Sequence, residues 1–364
     1  MKFEESYRNR TVLITGHTGF KGSWLAAWLH SLGAKVVGFS LPPTQPAHWP
    51  LLNLPIDSIE GDIRDVVKLE SVVGKYRPDL IFHLAAQSLV RRSYREPYET
   101  YSSNVIGTLN VCEAARHAGG VKGIVVVTSD KVYANRERET GYAETDRLGG
   151  YDPYSASKAC CELLADSYRN SFFPLATFGK NHHTLLATVR AGNVIGGGDW
   201  AEDRLIPDAV RAVTNDTPLV IRSPKSIRPW QHVLDPLAGY LHVGRQLLEK
   251  NPAAATAWNF GPDDEGNVTV ETVIERVRTA WPKLDVRIES NPNAPHETGV
   301  LKLDSSKAKR DLGWRPVWNW QTAADRTVAW YRDYLERGIV QTQTDLQAFH
   351  HSANSINPTP TSLP

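Results

Sequence analysis

The sequence predicts a doubly wound α/β fold, a parallel sheet covered by helices on both faces, with a smaller C-terminal lobe. Short apolar runs at 12–15, 35–39, 80–84, 123–128 and 185–190 alternate with longer helical patterns at 24–32, 66–76, 98–118 and 154–169. The short runs are apolar throughout rather than alternating, as expected of parallel strands buried on both faces. Past residue 192 the alternation gives way to Gly-, Pro- and Trp-rich stretches with two further helical patterns, 268–280 and 323–337.

These observations divide the chain into a first domain, 1–191, and a lobe over 192–340 that can return to the first domain. The lobe should sit over the carboxyl edge of the sheet, where open α/β sheets bind ligands. Residues 341–364 are rich in Thr, Ser, Asn and Pro. Such a segment is expected to be a loose tail, because it offers little apolar area to offset its ordering entropy.

Composition narrows the partners. The chain has 364 residues, 41% of them hydrophobic, with 41 Lys and Arg against 40 Asp and Glu. A net charge of +1 gives no field for nucleic acid or anionic lipid, so an anionic ligand needs a local site. Residues 1–10 are charged and run into a short apolar stretch at 11–14, too short for a signal peptide or a membrane span. A cytoplasmic protein with no membrane partner is expected. Cys112, Cys160 and Cys161 make neither a disulfide framework nor a metal spacing, and His17, His83, His182 and His183 do not combine with acids as ligands. No metal is expected.

The first strand runs into Gly16-His17-Thr18-Gly19-Phe20-Lys21-Gly22 and then into a helix. Glycines three apart between strand and helix allow a sharp turn whose bare amides can meet a pyrophosphate at the positive helix end. The second strand ends at Ser40, where many dinucleotide sites carry an acid for the adenosine ribose. A serine hydroxyl can still bond that ribose, and no Arg or Lys follows through Pro46 to hold a 2′-phosphate. NAD is therefore favoured over NADP, with Lys21 the one cation in the turn that speaks for a phosphate.

The fifth apolar run ends in Ser129-Asp130-Lys131, and Tyr154 and Lys158 stand four apart at the start of a helical pattern. Residues four apart share a helix face, so the ammonium can stabilise a phenolate and bring a base of ordinary pKa about 10 toward neutrality. That suits removal of a proton from an alcohol.

Together, Gly16, Gly19 and Gly22, Asp62-Ile63, Leu84-Ala85-Ala86-Gln87, Asn104, Ser129 and Tyr154 with Lys158 resemble the sugar-nucleotide branch of the extended short-chain dehydrogenase/reductase superfamily, over about residues 10–335. The resemblance implies a Rossmann-type fold and an NAD site. There Asp62 and Ile63 flank adenine, Leu84 to Ala86 line the dinucleotide, and Lys158 anchors the nicotinamide ribose. Asp130 after the strand-end Ser distinguishes 4,6-dehydratases from epimerases. Lys131 after it, with the glycine turn, Gly196-Gly197-Gly198-Asp199-Trp200 and Arg228-Pro229-Trp230-Gln231-His232-Val233, is similar to the CDP-glucose 4,6-dehydratase family.

That family's reaction implies that Tyr154 takes the C4 hydroxyl proton, Ser129 bonds the same oxygen and Asp130 donates to the C6 hydroxyl. Lys131 acts either as the C5 base or as a stabiliser of the enolate. Ser88, Asn193, Arg204, Arg228 and Asn259 are the expected substrate contacts, Arg suiting a diphosphate by its fork of donors. The resemblance further implies a homodimer or homotetramer, and a deoxysugar destined for a cell-surface polysaccharide. An epimerase, a dehydratase for another nucleotide, and a dinucleotide-sensing regulator are the alternatives.

Overall fold

The computed structural model describes residues 3–289 and 299–356. Its centre is a seven-stranded sheet of β1 (Thr11–Thr15), β2 (Lys35–Ser40), β3 (Asp57–Glu60), β4 (Leu80–His83), β5 (Gly123–Val127), β6 (Leu185–Ala191) and an edge strand, Ala257–Phe260. All pair in parallel, in the order edge strand, β6, β5, β4, β1, β2, β3. The chain reverses its direction of winding between β1 and β4, so the crevice beyond their carboxyl ends is where a ligand of such a sheet belongs.

β4, β5 and β6 are buried along their whole length. Each sheet face carries its own core. One contains the helices Phe20–Ser31 and Leu234–Leu248, the other Val66–Tyr76, Gly107–Ala118 and Pro153–Ser171. The edge strand comes from the second half of the chain and pairs with β6, Asn259 opposite Arg190. Among the described residues no helix is long and apolar enough to cross a membrane.

Two expectations are corrected. The tail expected to be loose is a helix, Thr342–Ile356, as far as it is described; residues 357–364 lie outside the described residues. Its polar composition hides a narrow apolar stripe in which Leu346, Phe349 and Ala353 are buried against the core. Trp28 Nε1 also donates to His350 Nε2 at 3.0 Å, tying this helix to the one after the glycine turn. The helical pattern at 98–118 is interrupted rather than uniform. It comprises Pro97–Tyr101, a π-helical turn Ser102–Ile106 containing Asn104, and Gly107–Ala118. Such wide turns recur at functional sites.

Candidate active site

The glycine turn is held by close backbone approach. Gly16 has φ +78°, and a Cβ there would stand 2.6 Å from the Ala85 nitrogen; one on Gly22 would stand 2.1 Å from the Gly16 oxygen. Only glycine lets β1, the following helix and the end of β4 converge this tightly. Gly19 caps the helix Phe20–Ser31 without any side-chain bond to its first amides, and a Cβ on Gly19 would meet only the Gly16 oxygen, at 3.4 Å. Uncapped amides facing open space fit a dinucleotide pyrophosphate.

The other expected cofactor residues divide. Ser40 Oγ lies 2.7 Å from Thr18 Oγ1, which donates to the Leu41 carbonyl, so Ser40 donates to Thr18 and keeps its oxygen for accepting. The His17 ring turns into the protein: Nε2 lies 2.7 Å from Ser58 Oγ, Trp49 packs edge-on at 4.7 Å, and burial lowers its pKa to about 4. Only its backbone is left for the turn. Phe20 packs beside Gly196. The Asp62 carboxylate is gripped by Arg64, at 2.9 Å from Nε. The buried Ile63 packs beneath Gly107, while its carbonyl accepts from Asn110. Leu84, Ala85 and Ala86 are half-buried at the end of β4.

Asn104 is fully buried. Its amide oxygen accepts from the Gln87 N–H (2.8 Å) and its nitrogen donates to the Gln87 carbonyl (3.0 Å) and Ser157 Oγ (2.8 Å). The Gln87 side chain is likewise engaged with Leu89 and Thr100. These two join the turn after β4 to the helix Pro153–Ser171; neither amide faces a ligand.

The expected reacting groups come from two elements. Asp152 caps the helix Pro153–Ser171, accepting from Ser155 N at 2.9 Å, and the helix carries Tyr154 and Lys158. β5 leads through Thr128 and Ser129 into a short 3₁₀ turn, Asp130–Val132. Ser129 Oγ donates to Asp130 Oδ1 (3.0 Å) and accepts from the Lys131 N–H (3.2 Å). Asp130 is 3% exposed and its second oxygen, Oδ2, is buried without a partner. Gly192 leaves that oxygen its space, since a Cβ there would come within 3.2 Å.

Tyr154 is buried, and burial pushes its phenol up to about 12, against a hydrogen bond with Ser129 that lowers it. The expected lowering by Lys158 is not what this geometry gives. The Lys158 ammonium, its own pKa lowered by burial, donates to the Val127 carbonyl at 3.0 Å.

Ser129, Asp130, Lys131 and Tyr154 line one cavity of about 440 Å³. Lys21 lines it too, with its pKa lowered by burial to about 8. The cation in the glycine turn thus reaches the expected reacting groups rather than the ribose end at Ser40. The Lys131 ammonium has no hydrogen-bond or ion-pair partner among the described residues.

Ser88, Asn193, Arg204 and Arg228 also line this cavity. Arg204 is aimed by Asp199, 2.8 Å from Nη1, and lies 3.3 Å from Ser88 Oγ; Arg228 donates to the Ile227 carbonyl at 2.9 Å. Asn259 is a correction. It is fully buried, its amide nitrogen donating to the Tyr142 and Asp304 carbonyls and its oxygen accepting from Tyr133 OH, so it holds the edge strand and faces no ligand. Arg91 and Arg222, 3.5 and 3.8 Å from Asp203, line the cavity as well. Nothing local in the sequence marks them, because only folding brings positions 91 and 222 to one wall.

Comparison with known proteins agrees with this geometry. Residues 13–327 match the family model described as GDP-mannose 4,6 dehydratase. The chain is 48% identical over 332 residues to the CDP-glucose 4,6-dehydratase of Salmonella typhimurium, covering 90% of this chain and 92% of that one. Among solved structures, an epimerase from Methanothermobacter thermautotrophicus superposes with TM-score 0.81 at 25% identity, over 92% of this chain and 96% of that one. A dTDP-glucose 4,6-dehydratase from Streptomyces venezuelae, solved with NAD, gives TM-score 0.76 at 26% identity, over 89% and 97%.

Proposed function

Because the chain belongs to the GDP-mannose 4,6 dehydratase family, we propose that it is a hydro-lyase that converts CDP-glucose to CDP-4-keto-6-deoxyglucose and water, using bound NAD. The observation that carries the reading is the buried, unpartnered Asp130 oxygen in the same cavity as Tyr154. An alcohol base and a carboxyl group facing one hexose are what oxidation at C4 followed by loss of the C6 hydroxyl requires. A 4-epimerase has no use for the second.

NAD, held by the glycine turn and Lys158, would supply the two-electron acceptor for the C4 hydride and the donor for its return at C6. Tyr154 accepts the C4 hydroxyl proton while Ser129 bonds the same oxygen. The resulting ketone acidifies the C5 hydrogen, and Lys131 serves either as the base that takes it or as a stabiliser of the enolate. The C6 hydroxyl leaves as water with a proton from Asp130, and C5 regains a proton as the hydride returns. The proton held by Tyr154 replaces the one Asp130 gave, so the cycle closes with loss of one water. Asn193, Arg204 and Arg228 hold the substrate's diphosphate in the second lobe.

In the family resembled, the helical segments at 98–118 and 154–169 pair between subunits, and here they carry the exposed side chains of Tyr98, Tyr101, Ile106 and Leu163, so a homodimer or homotetramer is proposed. Free Cys112, Cys160 and Cys161 suit a reducing cytoplasm. The activity is tested by incubating the protein with CDP-glucose and NAD. The expected result is the alkali-induced ultraviolet absorbance of a 4-keto-6-deoxy sugar without steady build-up of NADH. Steady NADH accumulation would indicate a plain dehydrogenase. Asp130→Asn should slow elimination and make transient NADH visible; dehydration at the parent rate would remove Asp130 from the acid role.

A further inference from the structure

We propose that the buried Glu162–Arg190 ion pair is a positioning device that fixes the Ser129-Asp130-Lys131 turn against the helix carrying Tyr154 and Lys158. The proposal rests on the dehydratase reading above.

Glu162 follows Lys158 by one helical turn and Tyr154 by two, on the helix Pro153–Ser171. Its side chain is 1% exposed and that of Arg190, on β6, 2%. The carboxylate takes four donors: Thr128 Oγ1 at 2.5 Å and Arg190 Nε at 2.9 Å on one oxygen, Thr188 Oγ1 at 2.6 Å and Arg190 Nη2 at 2.8 Å on the other. Burial alone would raise the Glu162 pKa, but these donors outweigh it and hold the carboxyl below its usual range. Arg190 Nη1 in turn donates to Tyr133 OH at 2.7 Å.

Thr128 and Tyr133 are the residues that bracket the turn: Thr128 immediately precedes Ser129, and Tyr133 closes the 3₁₀ segment Asp130–Val132. One ion pair therefore grips the turn at both ends and belongs at the same time to the helix of the alcohol base. A buried ion pair adds little net stability over well-packed apolar side chains, because desolvation offsets the attraction. What it does provide is directional, and here its directed bonds end on the two flanks of the reacting turn.

The role differs from general structural support in a way that can be measured. C4 oxidation takes its base, Tyr154, and Lys158 from the helix and only one bond, from Ser129, from the turn, whereas elimination needs Asp130 and Lys131, both on the gripped turn. Loosening the grip should therefore slow elimination more than oxidation. The variant is the double substitution Thr128→Val with Tyr133→Phe, which removes both bonds, together with the Tyr133 bond to Asn259, and keeps both shapes, including the Tyr133 ring stacked on Tyr142 at 5.1 Å. Thr188→Val, which removes a donor to the same carboxylate away from the turn, is the control.

In rapid mixing with CDP-glucose and NAD, the double variant should show elimination slowed on the order of 10- to 100-fold, as expected for displaced reacting groups. Transient NADH per active site should exceed that of the parent, with KM for CDP-glucose changed by less than about threefold. Thr128→Ser should bring the partition part of the way back to the parent's when it replaces Val in the double variant, and Thr188→Val should leave the parent's partition in place. A double variant whose keto-sugar output falls with no rise in transient NADH, or does not fall at all, overturns the positioning role. A parent that makes no keto sugar overturns the dehydratase reading instead, so the two failures are distinct.

Discussion

Tyr154 and Asp130, similarly buried, have different proposed roles. Tyr154 is 8% exposed and keeps its proton in the free protein, since burial holds its phenol at about 12; bound NAD adds a positive charge that works in the opposite direction. Removing the hydroxyl in Tyr154→Phe should lower turnover by about 10²- to 10⁴-fold. The melting temperature should stay near the parent's, which a thermal melt beside the assay checks.

Asp235 offers a pH test away from the site. It is fully buried in the first turn of the helix Leu234–Leu248, one oxygen accepting from Val317 N and the other unpartnered, and burial raises its pKa to about 7 from an ordinary 3.8. The folded protein thus keeps a proton that the unfolded chain loses first. Its contribution to stability is full below the unfolded value and declines as pH rises toward 7, by about 1.4 kcal/mol per pH unit at most. Asp235→Asn should therefore melt higher than the parent at about pH 8, with the gap closing at about pH 5. Melting curves that shift in parallel at both pH values would contradict this.

At the scale of elements, the C-terminal helix Thr342–Ile356 acts as a brace. Thr342 Oγ1 lies 2.7 Å from His48 Nε2, and His48 Nδ1 lies 2.8 Å from Ser23 Oγ on the helix that follows the glycine turn. Phe349, fully buried against Trp28 and Trp318, anchors it. Phe349→Ala should cost about 3–5 kcal/mol in denaturant unfolding. A loss below about 1 kcal/mol would mean that the helix does not dock as described.

This helix also shows where sequence pattern runs out. β1, β4, β5 and β6 were legible because unbroken apolar runs between helical patterns have few other readings. Thr342–Ile356 was not, because its apolar stripe is narrow within a polar composition. Leu234–Leu248 escaped for the opposite reason: it is buried on nearly all sides and carries Pro236 and Gly239, so it has neither a polar face nor a helix-like composition. β3, Asp57–Glu60, is short, mostly exposed and polar, and becomes a strand only through its pairing with β2.

For the whole molecule, the sheet brings the glycine turn, the end of β5 and the helix of Tyr154 to one edge, and residues from 191–230 with Val270 and Leu301 close a cavity over them. The groups that meet in this cavity were readable because each sits in a local motif: a turn, a strand end, a helix face. The substrate wall was readable only in part. Arg204 and Arg228 reach it, whereas Asn259 is turned away by the pairing of its strand with β6, a register the sequence does not display.

The central claim is that this one cavity oxidises C4, expels the C6 hydroxyl and returns the same hydride within a single binding event. CDP-glucose carrying deuterium at C4, converted in ordinary water with catalytic NAD, tests it most directly. The account predicts a 4-keto-6-deoxy product with the deuterium at C6. Deuterium found instead in accumulated reduced cofactor, or absent from C6 of the product, would contradict it.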